Sequence, residues 1–206
     1  MLQILAATSN QHKVTEFSSA FTPVQEKIQI ITLGDIPPFT MPEENGKTFE
    51  ENAMIKAKAA SAFADMPAFA DDSGLEVAAL DGAPGIFSAR YAGENASDAD
   101  RIAKLLHELE GKEARQARFV CAVALAYRGT EVQTFRGIVN GTILLQPRGS
   151  HGFGYDPVFV PDGYEQSFGE LGAEIKDKIS HRARALEQLV AFIKNELDSM
   201  DDFEFE

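Results

Sequence analysis

The chain of 206 residues has one cysteine, 19 lysines and arginines against 32 aspartates and glutamates, and a net charge of −13. Each scarcity excludes something. A lone thiol, Cys121, closes no intrachain disulfide, so nothing points to an oxidising compartment. It sits in the apolar run Phe119 to Tyr127, where a buried core thiol is expected, whereas a reactive cysteine needs polar, electropositive surroundings. That run is the strongest apolar stretch and is far too short to cross a bilayer. The start, Met1 to Ala7, lacks the basic segment of a signal peptide, so a cytoplasmic protein with no membrane partner is expected. The shortage of basic residues argues against nucleic acid as a partner. No repeat or low-complexity segment is visible. The glycine–lysine loop of P-loop enzymes is absent too, so any phosphate must be held by local cations, backbone N–H groups or a metal.

What is present alternates strand and helix, then becomes strand-rich, then ends in a helix. Leu2 to Ala7 reads as a buried strand, Lys13 to Phe21 as a helix and Ile28 to Leu33 as a second strand. Ile36 to Gly46, with its prolines, reads as loop. Thr48 to Glu51 fits a capping box, with Thr48 as N-cap and Glu51 reaching back to it. The helix it starts keeps Phe49, Ala53, Ala57, Ala60 and Ala64 on one face and stops at Met66-Pro67. Ala68-Phe69-Ala70 reads as a short strand entering an acidic turn. Asp98 to Leu109 is a further helix, capped by Ser97 or Asp98. Ala117 to Tyr127 is a central strand buried on both faces, turning back into Glu131 to Val139 as a hairpin. The last helix runs from Ser180. The class is α/β with a mixed sheet, because the early alternation favours parallel pairs and the hairpin requires an antiparallel one.

Five segments can carry chemistry. Thr8, Ser9, Asn10, Gln11, His12 and Lys13 form a polar turn between strand and helix, which aims N–H groups and the helix dipole at an anion. Taken alone, Asn10 as a plain helix cap and Lys13 as a solvated lysine explain it about as well. Glu43-Glu44-Asn45-Gly46 is an acidic loop that gains meaning only with a partner site for a cation. Asp71-Asp72-Ser73-Gly74 supplies one: adjacent carboxylates repel and are costly to bury, and a divalent cation such as Mg²⁺ relieves that cost. Gly149 to Pro157 interleaves glycines with Phe153 and Tyr155 before Asp156, as suits a loop wrapped round a flat ligand with a ring stacked on a base. Lys176, Lys178, His181, Arg182 and Arg184 cluster cations at the start of the last helix, where they oppose its dipole and where an anionic ligand would repair the conflict.

Taken together, these motifs identify a resemblance. Thr8-x-Asn10-x-x-Lys13, Glu43-Glu44-x-Gly46-x-Thr48-Phe49-x-Glu51-Asn52-Ala53, Ala70-Asp71-Asp72-Ser73-Gly74-Leu75, Gly82-x-Pro84-Gly85-x-x-Ser88-Ala89-Arg90-Tyr91, Gly152 to Pro157 and Ser180-His181-Arg182 resemble the inosine triphosphate pyrophosphatase family over Leu2 to Ile193. The resemblance implies an elongated mixed β-sheet flanked by helices, with two lobes and an active-site cleft between them. It implies one such domain over 1–197, leaving 198–206 as an acidic tail, and assembly as a homodimer. It implies hydrolysis of non-standard purine nucleoside triphosphates (dITP, ITP, XTP) to the monophosphate and pyrophosphate. Carried over, Thr8 to Lys13 hold the triphosphate; Glu43 and Asp72 bind Mg²⁺, and Asp72 is the general base. Ser73, Phe153, Gly154, Tyr155, Asp156, Lys176, His181 and Arg182 contact the nucleotide. Ser9 and His12 stand where the family often has glycine, so either the backbone-lined phosphate loop is tighter or His12 adds a phosphate contact. Asp71 is left as either a supporting acid or a further metal contact.

Two other readings remain open. One is a Maf-type pyrophosphatase acting on modified pyrimidine nucleotides, against which the Gly152 to Pro157 and Ser180-His181-Arg182 motifs speak. The other is a nucleotide sensor without turnover, which has no need of the Glu43 and Asp72 pair.

Overall fold

The computed structural model describes residues 1–203, and the side chains of all but 131 and 200–203. Six strands form one sheet in the order β2-β1-β3-β4-β5-β6. They are β1 (Leu2–Ala6), β2 (Ile28–Thr32), β3 (Ala68–Val77), β4 (Gln116–Tyr127), β5 (Glu131–Ile143) and β6 (Phe159–Pro161). The helices are α1 (Gln11–Phe21), α2 (Phe49–Ala64), α3 (Asp98–Glu108), α4 (Phe168–Leu171), α5 (Ala173–Ile179) and α6 (His181–Phe203). β1 pairs in parallel with β2 on one side and β3 on the other. The remaining pairs are antiparallel. This is the mixed sheet expected from the alternation followed by a hairpin.

The sheet is covered differently along its length. On one face α1 and α6 press Phe17, Phe21, Leu186 and Leu189 onto Ile4, Phe69, Cys121 and Val123. On the other, the alanine stripe of α2 (Ala53, Ala57, Ala60) meets Ala70, Ala122 and Ala124, so small side chains on both sides let the helix lie close to the strands. A separate core joins α3 to the far ends of β3, β4 and β5 and to β6 and α4, around Leu75, Leu105, Phe119, Phe159 and Phe168. The long strands β3, β4 and β5 therefore contribute to more than one of these cores.

Two local details concern the ends of α2 and α6. Thr48 Oγ1 does cap α2 by accepting from Glu51 N at 3.1 Å, but the Glu51 carboxylate reaches one residue further back, to Lys47 N at 2.6 Å. α6 continues to Phe203, well past residue 197, and Lys27 pairs with Asp198 at 2.9 Å. The end of the acidic tail, 204–206, lies outside the described residues. Among the described residues no helix is long and apolar enough to cross a membrane.

The crossovers place the cleft. The chain leaves β1 for β2 on one side, then returns through α2 to β3 on the other, so β1 is a topological switch point and the space beyond its carboxyl end is open. β1 pairs with β3 only at Ala68 and Phe69. From Ala70 onward that edge of β3 has no strand beside it among the described residues, only a single bridge from Glu76 to Pro84.

Candidate active site

The acidic segment Asp71-Asp72-Ser73-Gly74 is not a turn. It lies inside β3, paired residue for residue with Val123, Ala122, Cys121 and Val120 of β4. Strand periodicity then sends Asp71 and Ser73 to one face and Asp72 and Gly74 to the other. The two aspartates are thus not a repelling pair. Because the edge of β3 is open here, both faces border the same cleft.

On the first face Asp71 is an anchor. Lys13 Nζ lies 2.9 Å from Asp71 Oδ1, and Arg182 Nε donates to Oδ2 at 3.0 Å. Burial alone would raise the Asp71 carboxyl, but Lys13, Arg182 and Lys56 together hold it well below the usual carboxylate range. With both oxygens engaged, Asp71 serves to position cations. Arg182 also donates to Ser73 Oγ at 2.8 Å and pairs with Glu16. Glu16 bridges onward to Lys176 at 3.1 Å, and Lys176 to Asp156 at 2.7 Å. The cations at the start of α6 are therefore balanced largely from within, by Asp71 and Glu16, rather than waiting for a ligand. His181 avoids the dipole conflict in another way. Its burial, with Arg182 and Lys176 nearby, holds the imidazole well below its ordinary value, so it is neutral. It stacks on Phe119 with centroids 4.7 Å apart, and its Nδ1 has no hydrogen-bond partner among the described residues.

On the second face Asp72 meets α2. Asn52 Nδ2 donates to its Oδ2 at 3.0 Å, and Lys56 Nζ lies 3.7 Å from Oδ1 and 3.0 Å from Glu44. Burial pushes the Asp72 carboxyl upward; Lys56 opposes this and Glu44 adds to it. The result is a basic carboxylate at 7% exposure, bordering the cleft. Gly74, next on this face, is needed for close approach: a Cβ there would lie 2.5 Å from Ser88 Oγ and collide with the Gly85 carbonyl oxygen.

The other walls follow from local structure. Asn10 caps α1, its Oδ1 accepting from His12 N at 2.9 Å and Lys13 N at 3.4 Å. The plain capping role and a place in the cleft coexist, while Lys13, paired with Asp71, is not a solvated lysine. In the glycine-rich loop Asp156 Oδ2 accepts from Phe153 N at 2.9 Å, and Gly154 N donates to Asp98 Oδ2 at 2.6 Å. Gly152 has φ +75°, and a Cβ would strike the Asp156 carboxylate.

A cavity of about 540 Å³ collects these walls. Thr8, Ser9, Asn10, His12, Lys13, Asp72, Ser73, Phe153, Gly154, Tyr155, Asp156, Lys176, His181 and Arg182 all line it. Gln11 and Glu43 do not. Both side chains are exposed, and the neighbouring Glu44 lines the cleft. The lining also takes in charged side chains from outside the five candidate segments, Lys56, Asp98 and Arg101. Lys56 and Asn52 carried a signal, since a buried amide and ammonium share the apolar stripe of α2 with Ala53, Ala57 and Ala60. Among the described residues no three His, Cys, Asp or Glu side chains converge to hold a metal unaided. Asp72 and Glu44 do present hard oxygens to the cleft, a set that suits Mg²⁺ completed by water and substrate phosphates.

An α/β fold with a cleft at its switch point, a basic buried carboxylate and a cationic wall defines a nucleotide-handling enzyme. The sequence matches the Ham1 family over residues 4–192, and the chain belongs to that family. A Deinococcus deserti protein named dITP/XTP pyrophosphatase is 47% identical over 95% of this chain and 91% of its own length. A Bacillus licheniformis protein of the same name is 46% identical, covering 94% of this chain and 98% of its own. Among solved structures, a HAM1 protein from Coxiella burnetii is similar with a TM-score of 0.86 and 41% identity, over 95% of this chain and all (100%) of that one. The Staphylococcus aureus Ham1 protein gives 0.85 and 42%, over 94% and 99%.

Proposed function

We propose that this protein is a dITP/XTP pyrophosphatase, hydrolysing non-standard purine nucleoside triphosphates to the monophosphate and pyrophosphate and so removing them from the pool used for DNA and RNA synthesis. The observation that carries this reading is the position of Asp72. It is a buried carboxylate made more basic by its burial, bordering the cleft shared by the Thr8 to Lys13 turn and the Phe153 to His181 pocket. The names of relatives similar over nearly the whole chain support the same activity.

In this reading the triphosphate lies along Thr8 to Lys13, where the first turn of α1 and the ammonium groups of Lys13 and Lys56 offset its charge. Asp72 accepts the proton of the attacking water, and Asn52 and Lys56 hold its carboxylate in place. Mg²⁺, held by Asp72 and Glu44, would supply charge neutralisation at the phosphate oxygens. Positioning and electrostatics do most of the work, as in other phosphoryl-type transfers.

The base lies on Phe153. A hypoxanthine or xanthine O6 is an acceptor where adenine carries an amino donor. Neutral His181 and the donors of Arg182 and Lys176 provide hydrogen-bonding groups on that side, and mismatched buried polar groups are costly. The protein works in the cytoplasm as a homodimer, with no nucleic-acid or membrane partner. The test is a panel of dITP, ITP, XTP, GTP and ATP with Mg²⁺, detecting pyrophosphate separately from phosphate. Pyrophosphate from the first three, and little turnover of ATP, is expected; equal rates on ATP and dITP would sink the selectivity.

A further inference from the structure

His12 and Phe153 come from opposite sides of the cleft, one from the first turn of α1 and the other from the glycine-rich loop. Their rings are stacked, with centroids 5.1 Å apart and planes inclined by 15°. A purine inserted between two rings needs about two van der Waals layers, roughly 7 Å, so no base fits between these. The face of Phe153 that meets His12 is already taken.

The two partners are not equally fixed. Phe153 is held through its own amide by Asp156, and its neighbour Gly154 by Asp98. Lys176 Nζ lies 4.2 Å from the Phe153 ring centroid and is itself pinned by Asp156 and Glu16. His12 is exposed; its backbone amide is tied to Asn10 Oδ1, while its ring lies within electrostatic reach of Asp98 and no hydrogen bond anchors it among the described residues. Its imidazole is therefore the mobile member of the stack. It also belongs to the turn on which the triphosphate docks.

Resting on the placement of the base and phosphates given above, we propose that His12 is a gate on the nucleobase slot. In the free protein its imidazole covers Phe153. When a triphosphate docks on Thr8 to Lys13, the imidazole turns toward the phosphates and frees the ring for the purine. After pyrophosphate leaves, nothing holds His12 at the turn. It returns to Phe153 and displaces the base of the monophosphate. His12 thus discriminates substrate from product by coupling base stacking to the presence of the polyphosphate, because a slot that is only partly open binds its ligand more weakly by the closed fraction.

The test measures binding of inosine monophosphate to the full chain with Mg²⁺ by calorimetry, in the wild type and in His12→Ala, His12→Phe and Phe153→Ala. His12→Ala is expected to bind the monophosphate more tightly, by about two- to tenfold, the worth of one aromatic stack. His12→Phe keeps a ring on Phe153 and is expected to bind it no more tightly than the wild type, which separates the loss of the stack from any general effect of substitution. Phe153→Ala is expected to weaken binding. Unchanged or weaker binding in His12→Ala, with Phe153→Ala still weakened, would overturn the gate and leave the proposed function standing. Unchanged binding in Phe153→Ala would overturn the placement of the base, and the gate with it.

Discussion

Arg182 Nε donates to Asp71 Oδ2 at 3.0 Å, and each of these residues is only 2% exposed. They are 111 residues apart, so this contact ties the start of α6 to the middle of β3. Removing Asp71 leaves the Arg182 charge buried with Glu16 as its remaining carboxylate partner, so the loss is at or below the lower end of the range of about 3–5 kcal/mol for a broken buried pair. Asp71→Asn is therefore expected to lower the unfolding free energy by that order in urea titrations. It also releases Lys13, so the Michaelis constant for the triphosphate rises.

Gly74→Ala tests the close approach of the segment 85–90 to β3. The added methyl meets Ser88 Oγ, which accepts from Leu75 N at 2.9 Å and donates to the Gly85 carbonyl. Overpacking of this kind costs about 1–3 kcal/mol. Thermal or urea unfolding should show that loss; a variant as stable as the wild type would mean that the segment yields freely.

His181 gives a pH dependence with a definite sign. It is held neutral in the folded chain, whereas in the unfolded chain it takes up a proton below about pH 6.5. The unfolded state then binds more protons, so stability from this group is complete above that pH and falls as the pH drops through it. The slope approaches about 1.4 kcal/mol per pH unit for one group. His181→Gln cannot titrate, and its stability should fall less steeply than that of the wild type between about pH 7 and 5.5. Parallel profiles would contradict a neutral buried His181.

The elements that sequence patterning makes visible are those built on long periodic runs. β4 and α2 appear close to where periodicity and capping place them, as does Ser97 at the start of α3. Asp71 to Gly74 reads as a turn from sequence because Asp, Ser and Gly favour turns when no partner is known. What keeps the segment extended is the β4 ladder together with Lys13 and Arg182, neither of which is near it in the chain. The choice between Glu43 and Glu44 depends on which way a proline-rich loop turns its backbone, and neighbouring identical residues carry no signal for that. Glu16 carries no signal in the sequence for a related reason: its partners, Lys176 and Arg182, arrive only when α5 and α6 fold back on α1. The short α4 and α5 have too few turns to show a period.

Asp72 carries the central claim. The most direct measurement compares pyrophosphate release from dITP by the wild type and Asp72→Asn, together with nucleotide affinity. Asparagine keeps the size and can still accept from Asn52, but it cannot take a proton from water. The expected result is a fall in turnover of at least about 10²-fold, the scale of a lost general base, with nucleotide affinity largely retained. Turnover near that of the wild type, releasing the same pyrophosphate, would remove Asp72 from the chemistry.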